Sequence, residues 1–338
     1  MKPGRIALLS SLGLAAATVG VAAWAPELVL AAEFARQRLA AGARRYAIEL
    51  AGHRWSYLDA GRIKPARASA RDVASRGRNA LFVPDPPKPV IVLVHGFTGS
   101  KENFLPLMGA MAANYRLIAP DLPGWGESER LSAADYGAAA QAERLAAFLR
   151  VLPNIVGVDG PPALLVGHSM GGQIVGLVAA RHPELVARIA LVSASGVLFD
   201  ENEFGLGVLA GVNPFGVDSR ADLQRYFRIV FREPPFVPWP FSEALVQRRR
   251  ADAGFEQAVL DDIGRGPGAF ALQEELPAIK APTLLLWGRE DRVIDPSAIA
   301  VFEAGLANSR TILLNACGHM PMMERTAETA AALKDFLR

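Results

Sequence analysis

The chain has 338 residues, 51% hydrophobic and 21% charged, with 36 basic against 34 acidic side chains. A net charge of +2 argues against a phosphate-backbone binder, whose basic residues greatly outnumber its acids on at least one domain. The single cysteine, Cys317, excludes an intrachain disulfide, and without paired Cys/His ligand spacing a structural zinc site is not expected. The length holds one large α/β domain with an insertion, or two small domains.

Lys2 and Arg5 precede Ile6 to Ala25, twenty residues without a charge. That length crosses a bilayer core as a helix. Its Ala/Gly-rich composition leaves a cleaved secretory signal as the competitor, with Val29-Leu30-Ala31 as the cleavage site, which would make the protein secreted or periplasmic. The late position of that site, after Pro26 and Glu27, favours an uncleaved membrane anchor. Ala31 to Ala43 reads as a short basic amphipathic helix along the membrane surface. Tyr46–Leu50 and Arg54–Leu58, separated by Ala51-Gly52-His53, read as a β-hairpin. Arg62 to Lys88 is rich in Arg, Ala and Pro without periodicity, and reads as a solvated, partly disordered insertion.

From Val90 the pattern becomes regular. Val90–Val94 is a continuous β-branched and apolar run, as in a strand covered on both faces, and ends in His95-Gly96-Phe97-Thr98-Gly99-Ser100. Asn103–Ala113 is helical, Tyr115–Ala119 is the next strand, and Pro120-Asp121-Leu-Pro-Gly-Trp-Gly126-Glu-Ser128 follows it. A long Ala-rich helix, Ala138–Leu152, leads to the strand Ala163–Val166. That strand runs into Gly167-His168-Ser169-Met170-Gly171, and a Gly/Ala-rich helix, Gln173–Arg181, begins at once. Glycines on both sides let the backbone double back and the helix pack close. The turn pushes the Ser169 hydroxyl off the sheet, beside the free N–H groups of a helix start. Arg188–Val192 is the following strand. The alternation predicts a mostly parallel sheet flanked by helices on both faces.

Between about Val197 and Ala278 no buried-strand pattern occurs. Aromatic residues cluster there instead, Phe204, Phe215, Tyr226, Phe227, Phe231, Phe236, Trp239 and Phe241 among them. Arg220–Phe231 and Ser242–Arg250 look helical, separated by the Pro-rich stretch 234–240. The block reads as an inserted helical cap, with some aromatics lining a cleft over the strand ends. The run Arg248, Arg249, Arg250 reads as a solvated helix face. Thr283–Trp287 resumes the sheet, Pro296–Leu306 is helical, Arg310–Leu314 is the last strand, and Glu324–Leu337 closes the fold. The expected organisation is an N-terminal anchor or signal with a basic segment (1–43), a first core part (44–196, with the insertion 62–89), the cap (197–278) and a second core part (279–338).

A serine hydroxyl is a weak nucleophile at neutral pH and needs a base, which in turn needs an acid to fix its tautomer. Of the five histidines, His53 sits in the hairpin turn and His182 at a helix end. His95 and His168 read as loop supports. His319 alone follows the last strand, beside Gly318, and is the expected base. Glu290, Asp291 and Asp295 compete as the acid. Asp291 is favoured by its offset from the Gly288 turn, whereas Asp295 before Pro296 suits a helix cap. The oxyanion needs two backbone donors, expected from Met170 and Phe97. Phe97, Phe231, Trp239 and Met320 are the expected substrate contacts.

The order Ser169, Asp291, His319, with His95-Gly96-Phe97 upstream, resembles the α/β-hydrolase superfamily, from about residue 45 to the C-terminus. Within it, the N-terminal hydrophobic segment, His-Gly-Phe-Thr-Gly-Ser-Lys-Glu-Asn-Phe, Gly-His-Ser-Met-Gly-Gly and Cys-Gly-His-Met-Pro-Met-Met-Glu-Arg are similar to two groups. These are the membrane-associated monoacylglycerol lipases and the bacterial family V lipases and esterases. The resemblance implies an α/β-hydrolase fold and carboxylester hydrolysis through an acyl-enzyme, on lipid or ester substrates, with no metal or organic cofactor and no nucleic-acid partner. The alternatives are a carbon–carbon bond hydrolase of ring-cleavage products, which shares the triad, and a non-catalytic binding protein on the same scaffold. Haloalkane dehalogenases and epoxide hydrolases resemble the fold but use a carboxylate where this chain has Ser169. The insertion 62–88 departs from the family pattern, and nothing transfers to it.

Overall fold

The computed structural model describes residues 24–61 and 87–338. All but the last two residues of the hydrophobic stretch Ile6–Ala25, and all but the last two of the insertion Arg62–Lys88, lie outside these. Among the described residues no helix is long and apolar enough to cross a membrane.

Eight strands form one sheet: β1 (Ala43–Leu50), β2 (His53–Ala60), β3 (Val90–Val94), β4 (Arg116–Pro120), β5 (Leu164–His168), β6 (Ile189–Val192), β7 (Thr283–Gly288) and β8 (Ser309–Leu314). Their spatial order is β1-β2-β4-β3-β5-β6-β7-β8. β1 and β2 pair antiparallel, as do β2 and β4, and every other pairing is parallel. The hairpin turns on Ala51 and Gly52, both at positive φ (50° and 76°), the conformation that matches a two-residue turn to strand twist.

β3, β4, β5, β6 and β7 are buried along their whole length, because helices cover both faces. That is why their sequences are continuous apolar runs rather than alternating ones. The helix Ala138–Val156 shows the complementary pattern. It buries Ala138, Gln141, Ala142, Leu145, Phe148, Leu149 and Leu152, a stripe at helical spacing. Phe148 stacks on Trp55 of β2 at 5.2 Å. The helix runs through Pro153 and stops at Gly157 in the left-handed conformation (φ 66°).

The chain steps outward from β3 to β4, then returns to place β5 on the other side of β3. At such a reversal the loops after neighbouring parallel strands part and leave a crevice. The loop after β3 begins at His95 and the loop after β5 is Ser169 itself, so the topology sets both at that crevice.

The segment between β6 and β7, called the cap here, carries the helices Glu203–Leu209, Arg220–Val230, Phe241–Arg265 and Ala271–Glu275. The helix Phe241–Arg265 continues well past Arg250, since Phe255, Val259 and Leu260 extend its apolar side. This corrects the reading of Arg248–Arg250 as a solvated face. Arg248 and Arg250 are exposed, but Arg249 turns inward to Glu256 at 3.0 Å. The first described helix spans Pro26–Ala40 rather than 31–43, with proline in its first turn and Gly42 beyond its end. It packs on the helix Phe241–Arg265, with Glu27 paired to Arg248 at 2.6 Å. The closing helical region is split into Pro321–Glu324 and Thr326–Phe336.

Candidate active site

Ser169 stands between β5 and the helix Met170–Arg181 with φ 55° and ψ −123°, a left-handed conformation that side chains with a Cβ seldom adopt. The glycines around it make that turn sterically possible. A Cβ on Gly167 would lie 2.2 Å from the Gly171 carbonyl oxygen, and one on Gly171 would lie 2.4 Å from that of Val94. One on Gly172 would meet the Ala194 Cβ at 2.4 Å. Strand, turn and helix are therefore pressed together at backbone contact distance. Ser169 keeps 8% of its surface exposed.

On the same side, in the loop after β8, the His319 ring is buried and its Nδ1 lies 2.8 Å from Oδ2 and 3.1 Å from Oδ1 of Asp291. Asp291 is itself oriented by the backbone N–H groups of Val293 (2.8 Å) and Ile294 (3.1 Å), which donate to its Oδ1. Each of the other two carboxylates near this turn has a different partner. Glu290 accepts the Cys317 N–H at 2.9 Å, and Asp295 accepts that of Ser297 at 2.9 Å. The Asp291 contact fixes Nδ1 as the protonated nitrogen, which leaves Nε2 of a neutral His319 with a lone pair.

Main-chain bonds hold the histidine as well as this side-chain contact. Its N–H donates to the Val230 carbonyl at 2.9 Å, and its carbonyl accepts from Nε2 of His168 at 2.7 Å. Burial pushes the His168 ring well below the usual histidine range, and the neighbouring His319 adds to this. His168 is therefore a neutral donor, with its ring 4.8 Å from that of His319. Ser169 and His319 are thus drawn to one end of the sheet by the residue that precedes the serine. Ser169 Oγ makes no hydrogen bond to the His319 ring, and bonds of this kind commonly tighten only when substrate arrives.

The backbone N–H groups of Phe97 and Met170 have no hydrogen-bond acceptor among the described residues. Both residues are buried. Met170 opens its helix, where orphan N–H groups and the positive dipole end coincide. Gly96 lets the Phe97 loop come close, because a Cβ there would lie 2.8 Å from the Ser169 Cβ. His95 stabilises that loop as a neutral ring. Its Nε2 accepts the Leu122 N–H (3.0 Å), so its Nδ1–H donates to the Gly96 carbonyl (2.8 Å). Burial lowers its pKa. Behind the loop, the fully buried Lys101 ammonium meets Asp121 at 2.5 Å and Glu127 at 2.9 Å. Burial opposes its charge, but Asp121, Glu127 and Glu102 together outweigh burial and raise its pKa. Among the described residues no group of His, Cys, Asp and Glu is placed to hold a metal ion.

A family model described as the alpha/beta hydrolase fold matches residues 89–326. The chain belongs to that family. Among curated relatives of this α/β hydrolase, the monoacylglycerol lipase ABHD6 of Bos taurus is 30% identical over 264 residues, 74% of this chain and 75% of that one. Lipase 1 of Psychrobacter immobilis is 31% identical over 254 residues, 73% and 76% of the two chains. Among solved structures, a membrane phospholipase A described as a bacterial virulence factor superposes with a TM-score of 0.80 at 33% identity, covering 98% of both chains. The fold and sequence are those of lipase-like α/β hydrolases.

In this hydrolase the cap brings an aromatic series to the loop after β3. Phe97 stacks on Phe215 with ring centroids 6.0 Å apart, and Trp125 meets it edge-on at 5.3 Å. Phe215 in turn touches Phe204 (4.6 Å) and Tyr226 (5.3 Å), and Phe227 links Tyr226 to Phe231. Phe231 and Met320 are both buried, each next in sequence to a residue of the His319 contact: Met320 follows His319 and Phe231 follows Val230, which accepts its N–H. Trp239 is different. It is 41% exposed, Phe236 is 90% exposed, and among the described residues no ring contact joins either to the series. Two features were unforeseen from sequence: the buried Lys101–Asp121 pair and the docking of Glu324 on the His319 loop. A lysine two residues after a glycine turn carries no periodic signal, and its partner Asp121 lies 20 positions away. Glu324 lies only four to six positions from Met320 and Gly318, but a side chain folding back onto a loop leaves no periodic trace either.

Proposed function

We propose that the protein is a serine carboxylester hydrolase of lipase type, with Ser169 as nucleophile, His319 as base and Asp291 as its orienting acid. The observation that carries this reading is the meeting, at one strand-end crevice, of a strained serine elbow, a buried His319–Asp291 pair and two unpaired amides. Ser169 Oγ attacks the ester carbonyl as His319 Nε2 takes its proton. The tetrahedral oxyanion accepts the N–H groups of Phe97 and Met170, donors fixed in place before charge develops. His319 returns the proton to the leaving alcohol, and water, activated by the same nitrogen, hydrolyses the Ser169 acyl-enzyme. Asp291 stays ionised and stabilises the imidazolium.

The substrates are uncharged esters of medium to long acyl chain, monoacylglycerols included. The run from Phe97 through Phe215 to Phe231 supports this, because an acyl chain buried against such a wall gains up to ~0.8 kcal/mol per methylene. The similar proteins, a monoacylglycerol lipase, a lipase and a membrane phospholipase A, point the same way. Specificity constants on a graded series of glycerol and p-nitrophenyl esters should rise with acyl length until the pocket is full. A preference for acetate esters overturns the chain-length reading. Rapid cleavage of a ring-fission dienoate with negligible esterase activity assigns the same residues to carbon–carbon bond hydrolysis instead.

The enzyme associates with membranes through its N-terminal segment. The uncharged stretch Ile6–Ala25 and the likeness to a membrane phospholipase A over 98% of both chains support this.

A further inference from the structure

The loop Asn315–Met320 that carries His319 is held through its backbone by several groups, and one of them spans two parts of the molecule. Oε1 of Glu324 accepts the N–H groups of Gly318 (3.0 Å) and Met320 (3.1 Å), the residues on either side of His319. Oε2 of the same carboxylate accepts the Arg232 N–H at 2.7 Å, in the cap just beyond the helix Arg220–Val230. Two residues earlier, the Val230 carbonyl takes the N–H of His319 itself. Gly318 makes the contact possible. A Cβ there would lie 2.7 Å from the Arg232 nitrogen and 3.1 Å from the Phe231 carbonyl carbon, so any side chain would push cap and loop apart.

We propose that Glu324 is a positioning residue that couples the docked state of the cap to the placement of His319, an inference that rests on His319 being the base for Ser169. A carboxylate is suited to this because it is acceptor-only and offers lone pairs on both oxygens. If the cap segment 230–232 lifts, Glu324 loses Arg232 and His319 loses Val230 in the same movement. The base is then complete only with the cap down, which ties proton transfer to closure over a bound substrate.

The test uses the full chain as wild type, Glu324→Ala, Glu324→Gln and Glu324→Asp. Three readouts are taken: kcat and KM on a short soluble ester, the rate of fluorophosphonate labelling at Ser169, and hydrogen exchange across 228–234 and 315–325. Glu324→Ala should lower kcat and the labelling rate about tenfold to a hundredfold, the scale expected of a slightly misplaced catalytic group. KM should change less than about threefold, because the short ester makes few cap contacts. Exchange should accelerate in both segments together. Glu324→Gln, which keeps one acceptor oxygen, should recover part of each effect, and it and Glu324→Asp carry the test if the alanine variant fails to fold. A lowered melting temperature with unchanged kcat and labelling overturns the proposal, as does faster exchange in 315–325 with the cap segment unaffected. If wild type neither cleaves esters nor labels at Ser169, the functional reading falls on its own, and the paired exchange response still decides the coupling.

Discussion

At the scale of single residues, the site depends on backbone approach more than on side-chain variety. Gly167 and Gly171 face main-chain carbonyl oxygens at distances no Cβ tolerates, and main chain cannot yield as a flexible side chain does. Gly167→Ala should therefore destabilise the fold by on the order of 1–3 kcal/mol, read as a lower denaturant midpoint. An unchanged midpoint would mean that strand and helix part more easily than their packing implies. Much of this was legible from sequence, because a serine between two glycines, after an apolar run and before a helix, has few other physical readings. Asp291 was less so. Three carboxylates lie within six residues, and only the separate engagements of Glu290 with Cys317 and Asp295 with Ser297 leave Asp291 for His319. His168 illustrates the limit of sequence reasoning. Its role as a loop support was expected, but its partner, the carbonyl of a histidine 151 positions away, belongs to the tertiary fold.

Among the elements, the helix Phe241–Arg265 departs most from the sequence reading. Arg249 and Glu256 lie seven positions apart, two turns on one face, and that relation appears only once the helix is known to run past Arg250. Arg249 divides its charge between Glu256 at 3.0 Å, the Phe215 carbonyl at 2.7 Å and the Tyr226 ring. Burial therefore prevails over the ion pair, with nearby Asp252 adding to it, and the Glu256 carboxyl is pushed up to about 7 from its ordinary 4.5. The sign follows directly. The folded state holds a proton that the unfolded chain releases near pH 4.5, so this contribution to stability is full below that pH and is lost as pH rises toward 7. Urea midpoints measured from pH 4 to 8 should show wild type losing stability relative to Glu256→Gln across that window. Parallel curves would show that Glu256 ionises as freely folded as unfolded.

For the molecule as a whole, the sheet was the most legible part. β3, β5 and β7 are buried on both faces and so must be apolar throughout, and helices between them force parallel pairing. The order of the strands was not written in the same way, nor was the packing of the helix Pro26–Ala40 against the cap, since neither leaves a periodic trace. That packing brings the end of the hydrophobic N-terminal stretch beside the cap. Deleting residues 1–23 should release the protein from membranes under high salt while leaving kcat on a soluble ester within about twofold. Retention on membranes after the deletion would move the attachment to the folded domain.

The proposed chemistry turns on Ser169 forming the acyl-enzyme with His319 and Asp291 behind it. Mass spectrometry of the protein after fluorophosphonate treatment tests this most directly. A single adduct is expected on the peptide carrying Ser169, absent in Ser169→Ala and formed on the order of 10⁴-fold more slowly in His319→Ala and Asp291→Asn. An adduct on a different residue, or full-rate ester hydrolysis by Ser169→Ala, would contradict it.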